Sequence, residues 1–219
     1  NPPPYWKAAA EQGLQGVHLA ESVGGQGFGI LELAIVIAEF GYGAVPGPFV
    51  PSAIASALIA AHDPDAKLLN DIASGNVIAA YAIDSGLTAT RQGDDLVIRG
   101  EVRAVPAAMQ ASVLVLPVAI DSGEEWVVID ADQVEIEPVK SIDPLRPLAH
   151  VRANAVEVEE AGGRAGDGVA LAVLVGVAAG GHDHAHGGAG VPLGFRLCQL
   201  AFQRGLDEHL VLRHVDLED

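Results

Sequence analysis

The feature that most constrains this chain is a change of hydrophobic period at Gly75-Asn76. Before it, apolar residues recur as they do on a helix: Ile30, Leu33, Ala34, Ile37, Ala38 and Gly41 share one face at 3.6 residues per turn. Ile54, Ala57, Leu58 and Ala61 repeat that spacing, with Pro51-Ser52 as the start signal of their helix. Asp63-Pro64 reads as the N-cap and first residue of a further short helix. Gly43 to Pro48, with its two prolines and two glycines, reads as a loop.

Beyond Asn76 the period becomes two. Strands are expected over Val77–Ala82, Asp95–Arg103, Val113–Ala119, Trp126–Ile129, Val134–Glu137 and Val151–Val158. Gln92-Gly93-Asp94-Asp95 and Asp121-Ser122-Gly123-Glu124 are the turns between them. Short strands with regular turns predict an antiparallel barrel or sandwich. A Gly-rich linker, Ala161 to Asp167, leads into an apolar helix from near Gly168. The expected fold is therefore α+β. An N-terminal helical domain covers residues 1–75, an antiparallel β-barrel or sandwich middle domain covers 76–160, and a linker with the start of a C-terminal helical domain covers 161–219.

Half of the 219 residues are apolar and 19% are charged, enough to bury a sizeable core. The formal charge of −17, with only 12 Lys and Arg and no basic run, argues against a nucleic-acid partner. Cys198 is the single cysteine, which excludes a disulfide framework and makes a cytoplasmic setting the expectation. The Asn1-Pro2-Pro3-Pro4 start has no basic segment followed by an apolar one, so no signal peptide is expected. It also lacks Met, so the chain is expected to begin inside a longer protein. The apolar run Val169 to Ala179 is shorter than the roughly 20 residues of a membrane span, and no membrane partner is expected.

Chemistry is signalled first by Gly13 to Gly29, where glycines at 24, 25, 27 and 29 permit left-handed backbone and close approach to the main chain. Gly-Leu-Gln-Gly-Val, an acidic residue, Gly-Gly-Gln-Gly and then Leu31-Glu32-Leu33-Ala34 form an ordered pattern that resembles the N-terminal domain of the acyl-CoA dehydrogenases. Pro46-Gly47-Pro48-Phe49 and Leu68-Leu69-Asn70-Asp71-Ile72-Ala73-Ser74-Gly75 are similar to later segments of that domain. Gly100 to Ala111 and Ser141 to Glu159 are similar to its middle domain. The resemblance covers about residues 5–178.

What the resemblance implies is an FAD-dependent oxidoreductase removing two hydrogens across the α,β bond of a fatty-acyl or steroid side-chain CoA thioester. Gly24, Gly25 and Gly27 would line the substrate. A carboxylate takes the α-proton while the flavin receives the β-hydride, and the thioester oxygen needs hydrogen-bond donors to stabilise enolate charge. In this family the base lies on the C-terminal helical domain, and no segment here matches it, so no catalytic residue is assigned. On the flavin side the family's Thr-Glu-Pro is replaced by Ala80-Tyr81-Ala82-Ile83-Asp84, and its Trp-Ile-Ser or Trp-Ile-Thr by Ala104-Val105-Pro106. Main-chain contacts from Tyr81, Ala82 and Val105 are then the expected cofactor contacts, since backbone groups do not depend on side-chain identity. The isolated chain is expected to hold FAD weakly. The alternative is a non-catalytic subunit completing a heteromeric dehydrogenase, as in actinobacterial members acting on steroid side chains. The implied partners are an acyl-CoA, an electron-accepting flavoprotein, and a homo- or hetero-oligomeric dehydrogenase-like subunit.

The last forty residues depart from the family. Gly180-Gly181-His182-Asp183-His184-Ala185-His186 reads as a solvated, Gly-flanked loop in preference to a metal site. The abrupt change of composition favours a slipped reading frame near residue 180 over a divergent tail. Either way, 181–219 is expected to be poorly ordered or to pack without a helical bundle.

Overall fold

The computed structural model describes residues 2–159, except Pro64, Asp65, Ser85, Asp94 and Ser122. The expected linker, the helix from Gly168, the histidine tract, Cys198 and the tail lie outside the described residues.

Four helices come first: α1 (Trp6–Glu11), α2 (Ile30–Tyr42), α3 (Phe49–His62) and α4 (Lys67–Ala73). Glu32 closes the first turn of α2, its Oε2 accepting the Gly29 N–H at 2.9 Å, with the negative charge at the positive end of the helix dipole. The expected start of α3 at Pro51-Ser52 is two residues late. Pro51 is the third residue of the helix, where its missing N–H has no intrahelical acceptor to lose. Asp63 is likewise the C-cap of α3, not the N-cap of the next helix, which begins at Lys67 after Ala66.

Seven strands follow: β1 (Ala79–Tyr81), β2 (Leu87–Gln92), β3 (Asp95–Pro106), β4 (Val113–Ile120), β5 (Gly123–Asp130), β6 (Glu135–Val139) and β7 (Leu148–Glu159). They form one sheet. Strand β5 pairs along the full length of β4, while β1 and β2 lie one after the other along its opposite edge, facing residues 113–115 and 118–119. The order then continues β2-β3-β7-β6. The expected antiparallel pairing holds for β2·β3, β3·β7, β4·β5 and β6·β7, whereas β1 and β2 run parallel to β4. Strand β2, Leu87-Thr88-Ala89-Thr90-Arg91-Gln92, was not expected, because only Leu87 and Ala89 mark its buried face.

The long β3–β7 ladder slips twice. Two residues, Arg103 and Ala104, stand opposite His150 alone, and Ala155 is the extra residue between Asn154 and Val156. Both bulge alanines are left-handed, Ala104 at φ 56° and Ala155 at φ 60°.

Two apolar clusters share the sheet. One joins the helices to β1 and the start of β4, placing Leu33, Ile54, Leu69 and Ile72 with Ala79, Tyr81, Val113 and Val115. The other gathers Ala80, Ala82, Leu87, Ile98, Val105, Leu116 and Val151. Alternation along β1 thus sends Tyr81 into the helical side and its two neighbours into the sheet's second core. Trp6 binds the two ends of the helical region, its indole N–H donating to the Gly75 carbonyl at 2.9 Å.

Candidate functional site

The glycine segment is a tight loop closed on itself by main-chain bonds. The N–H groups of Gln26, Gly27 and Phe28 donate to the carbonyls of Gly16, Leu19 and Val17 at 2.9, 2.8 and 3.1 Å, and that of Gly25 to Ala20 at 3.0 Å. Gly24 and Gly27 take left-handed φ values of 80° and 68° and are exposed. Gly25 is half-buried, and a Cβ there would fall on the Leu19 carbonyl. The three predicted substrate glycines therefore stand together, Gly24 and Gly27 exposed and Gly25 half-buried, with their N–H groups bonded inside the loop to Glu21, Leu19 and Ala20.

Side chains tie this loop to two helices. Asn70 on α4 donates from Nδ2 to the Val23 carbonyl at 3.4 Å. His18, inside the apolar triplet Val17-His18-Leu19, lies with Nε2 3.0 Å from the Ser56 hydroxyl on α3. Burial pushes the His18 imidazolium down to about 4, against a smaller opposing effect of the Ala53 carbonyl, so the ring is neutral at neutral pH. Neither tie was expected from the sequence. The available signal was Ser52 and Ser56, one turn apart on an otherwise apolar helix.

The predicted cofactor residues are brought together only in part. Ala82 and Val105 belong to one apolar cluster, while the Tyr81 side chain points into the other, where burial raises its phenol pKa. The Ala82 N–H is taken by the Val115 carbonyl at 3.1 Å, and Val105 is 1% exposed and pairs with Ala149. Ala104, at the expected position of a stacking aromatic, is an exposed bulge residue. The Arg103–Ala104 bulge, where β3 slips out of register with β7, lies directly beside Val105.

The remaining polar cluster lies on the sheet. Glu101 receives Arg152 at 2.8 Å and Arg103 at 3.1 Å, and Arg152 also reaches Glu135 at 3.3 Å. These guanidiniums, Arg152 first, hold the Glu101 carboxyl below its ordinary range. Among the described residues no group of three or more His, Cys, Asp or Glu is placed to hold a metal ion, and no helix is long and apolar enough to cross a membrane.

Comparison with known proteins agrees with the loop. Residues 1–76 match the family described as acyl-CoA dehydrogenase, N-terminal domain. The chain is 31% identical over 181 residues to the acyl-CoA dehydrogenase FadE34 of Mycobacterium tuberculosis, covering 81% of this chain and 24% of that protein. It is 29% identical over 154 residues to the acyl-CoA dehydrogenase IpdE2 of the same organism, covering 69% of this chain and 41% of that protein. The chain thus spans well under half of either curated relative. The fold is shared with the ChsE4–ChsE5 complex of M. tuberculosis at a TM-score of 0.72 and 20% identity, covering 94% of this chain and 65% of that one. It is also shared with an acyl-CoA dehydrogenase complexed with FAD from Bacillus anthracis, at 0.64 and 18%, covering 80% and 34%.

Proposed function

The chain belongs to the acyl-CoA dehydrogenase family through its N-terminal domain, and from that premise we propose that it forms the substrate-side part of an FAD-dependent dehydrogenase acting across the α,β bond of an acyl-CoA thioester. The observation that carries this reading is the closed glycine loop within residues 1–76; in this reading the thioester lies against the main chain of Gly24, Gly25 and Gly27. FAD, when bound, accepts the β-hydride. Tyr81, Ala82 and Val105 would bring main-chain atoms to it, beside the Arg103–Ala104 bulge. Residues 1–75, 76–160 and 161–219 are the helical, β and C-terminal helical units of this reading. Its partners are an acyl-CoA from a fatty-acid or steroid side chain, an electron-accepting flavoprotein and further dehydrogenase subunits, in the cytoplasm.

The α-proton requires a base near the thioester with a raised pKa. Glu101, held by two guanidiniums, is displaced in the opposite direction, and no catalytic residue is assigned in this chain. A second reading is a scaffold subunit whose partner supplies the base and the flavin contacts. Ala104 supports it: neither a stacking ring nor a hydroxyl donor stands at that bulge.

The experiment is dye-coupled oxidation of hexanoyl-CoA with added FAD, by the chain alone and after co-expression with a second acyl-CoA dehydrogenase subunit. Turnover by the chain alone supports a self-sufficient enzyme. Turnover only in the co-expressed pair supports the scaffold reading. Failure of coenzyme A to bind either preparation overturns both.

A further inference from the structure

Helix α3 carries Ser52 and Ser56 one turn apart, in a segment otherwise almost wholly apolar. Both are fully withdrawn from water, Ser52 2% and Ser56 0% exposed. Apolar packing alone would be served by alanine at either position, so each hydroxyl calls for an account of its partner.

The partners lie in different parts of the molecule. The Ser56 hydroxyl donates to the Ala53 carbonyl at 3.0 Å and stands 3.0 Å from His18 Nε2. The Ser56 hydroxyl thus bridges the Ala53 carbonyl and the His18 ring. The other ring nitrogen of His18, Nδ1, is buried with no hydrogen-bond partner among the described residues, so Ser56 is the side-chain tie of this imidazole. One turn earlier, Ser52 Oγ accepts the N–H of Ala79, the first residue of β1, at 3.3 Å. His18 lies between the two residues, Val17 and Leu19, whose carbonyls hold Phe28 and Gly27 of the glycine loop. Ala79 stands two residues before Tyr81. A single rigid turn of α3 thus links the base of the loop to the strand leading to Tyr81 and Ala82.

We infer that Ser56 and Ser52 are positioning residues that, through His18 and Ala79, fix the separation between the glycine loop and strand β1, and with it the placement of a bound thioester relative to a bound flavin. The functional half of this inference rests on the proposed reading of those two segments as ligand sites; the mechanical half does not. The strut is uncharged, since His18 is neutral above about pH 4, so its two bonds do not compete with the many surface carboxylates.

Amide hydrogen exchange on the whole 219-residue chain tests the mechanical half. Ser56→Ala should speed exchange at Gln26, Gly27 and Phe28 by about 10-fold, with Leu116 and Val127 of the β4–β5 core unchanged. Ser52→Ala should do the same at Ala79–Tyr81. His18→Leu should reproduce Ser56→Ala without touching α3, and so serves if the serine variant does not fold. His18→Gln, which keeps an N–H donor in reach of Ser56, should restore most of the protection. Uniform acceleration over the whole core, or equal behaviour of the Leu and Gln variants, overturns the strut. Calorimetric titration with coenzyme A tests the functional half: Ser56→Ala should weaken binding about 10-fold and His18→Gln much less. Unchanged affinity in Ser56→Ala overturns the positioning role. If the unmodified chain binds no coenzyme A, the proposed function fails, and exchange alone decides the strut.

Discussion

The helical region and the sheet hold their candidate ligand segments by different means. Around the glycine loop the ties are individual side chains, Asn70 from α4 and His18 to Ser56 on α3, added to a few main-chain bonds. Around Tyr81, Ala82 and Val105 the ties are mainly ladder bonds and apolar contacts that also hold the whole sheet together, with the single Ser52 bond to Ala79 beside them. A loop held by separate ties can be loosened one tie at a time, whereas a strand in the ladder is loosened one tie at a time only at its end, as at Ala79, and otherwise moves with its neighbours. The loop is therefore the part of this molecule that can be tuned without unfolding it.

The largest effect should come from the sheet. Gly100 has φ 126°, and a Cβ there would fall on the Gly86 carbonyl where β2 leaves β3. Gly100→Ala should cost about 3–4 kcal/mol and lower the thermal midpoint of the whole chain. A loss confined to local exchange near Leu87 would blur the contrast between the two regions.

Gly25→Ala should act next most strongly, at about 2–3 kcal/mol, because the new Cβ meets the fixed Leu19 carbonyl. Proteolysis or hydrogen exchange should show the damage concentrated in 16–28, with the β4–β5 pair protected. An evenly spread loss would mean that the loop is part of the main cooperative unit.

Acidification separates the regions through His18. Its folded pKa of about 4 lies below the ordinary value of 6.5, so the unfolded chain binds the extra proton between those values. This contribution to stability is complete above pH 6.5 and is lost as pH falls towards 4. Between pH 7 and pH 5 it amounts to about 2 kcal/mol. His18→Gln should flatten the pH dependence of urea unfolding by that amount, and an unchanged slope would place the imidazole in water.

The smallest effect has the opposite sign. Ala104→Gly relieves a left-handed alanine and should gain about 0.5–1 kcal/mol. A loss there would indicate that the bulge depends on the methyl group.

Much of the fold is legible in the sequence, because α2 and the strands β3, β4 and β7 carry strong periodic patterns. The misreadings have local causes. Proline at the third position of α3 is sterically silent, so it marks a helix start imperfectly. In β2, Thr88 and Thr90 alternate with a single small alanine, leaving too little apolar contrast to register. The parallel pairing of β1 and β2 with β4 depends on contacts distant in sequence, which periodicity does not encode. For the candidate site, glycine density marked the loop, whereas its tie to α3 was hidden in a histidine between two apolar neighbours and in two serines on an apolar helix.

In the proposed reading the substrate side is built within this chain and the flavin side is not self-sufficient. This claim is tested most directly by equilibrating the purified chain with FAD, passing it through gel filtration, and measuring the flavin-to-protein ratio together with coenzyme A binding on the same sample. The expected result is a protein that binds coenzyme A and has lost most of its flavin. Stoichiometric FAD retained through the column would contradict the claim, showing that the backbone of Tyr81, Ala82 and Val105 suffices.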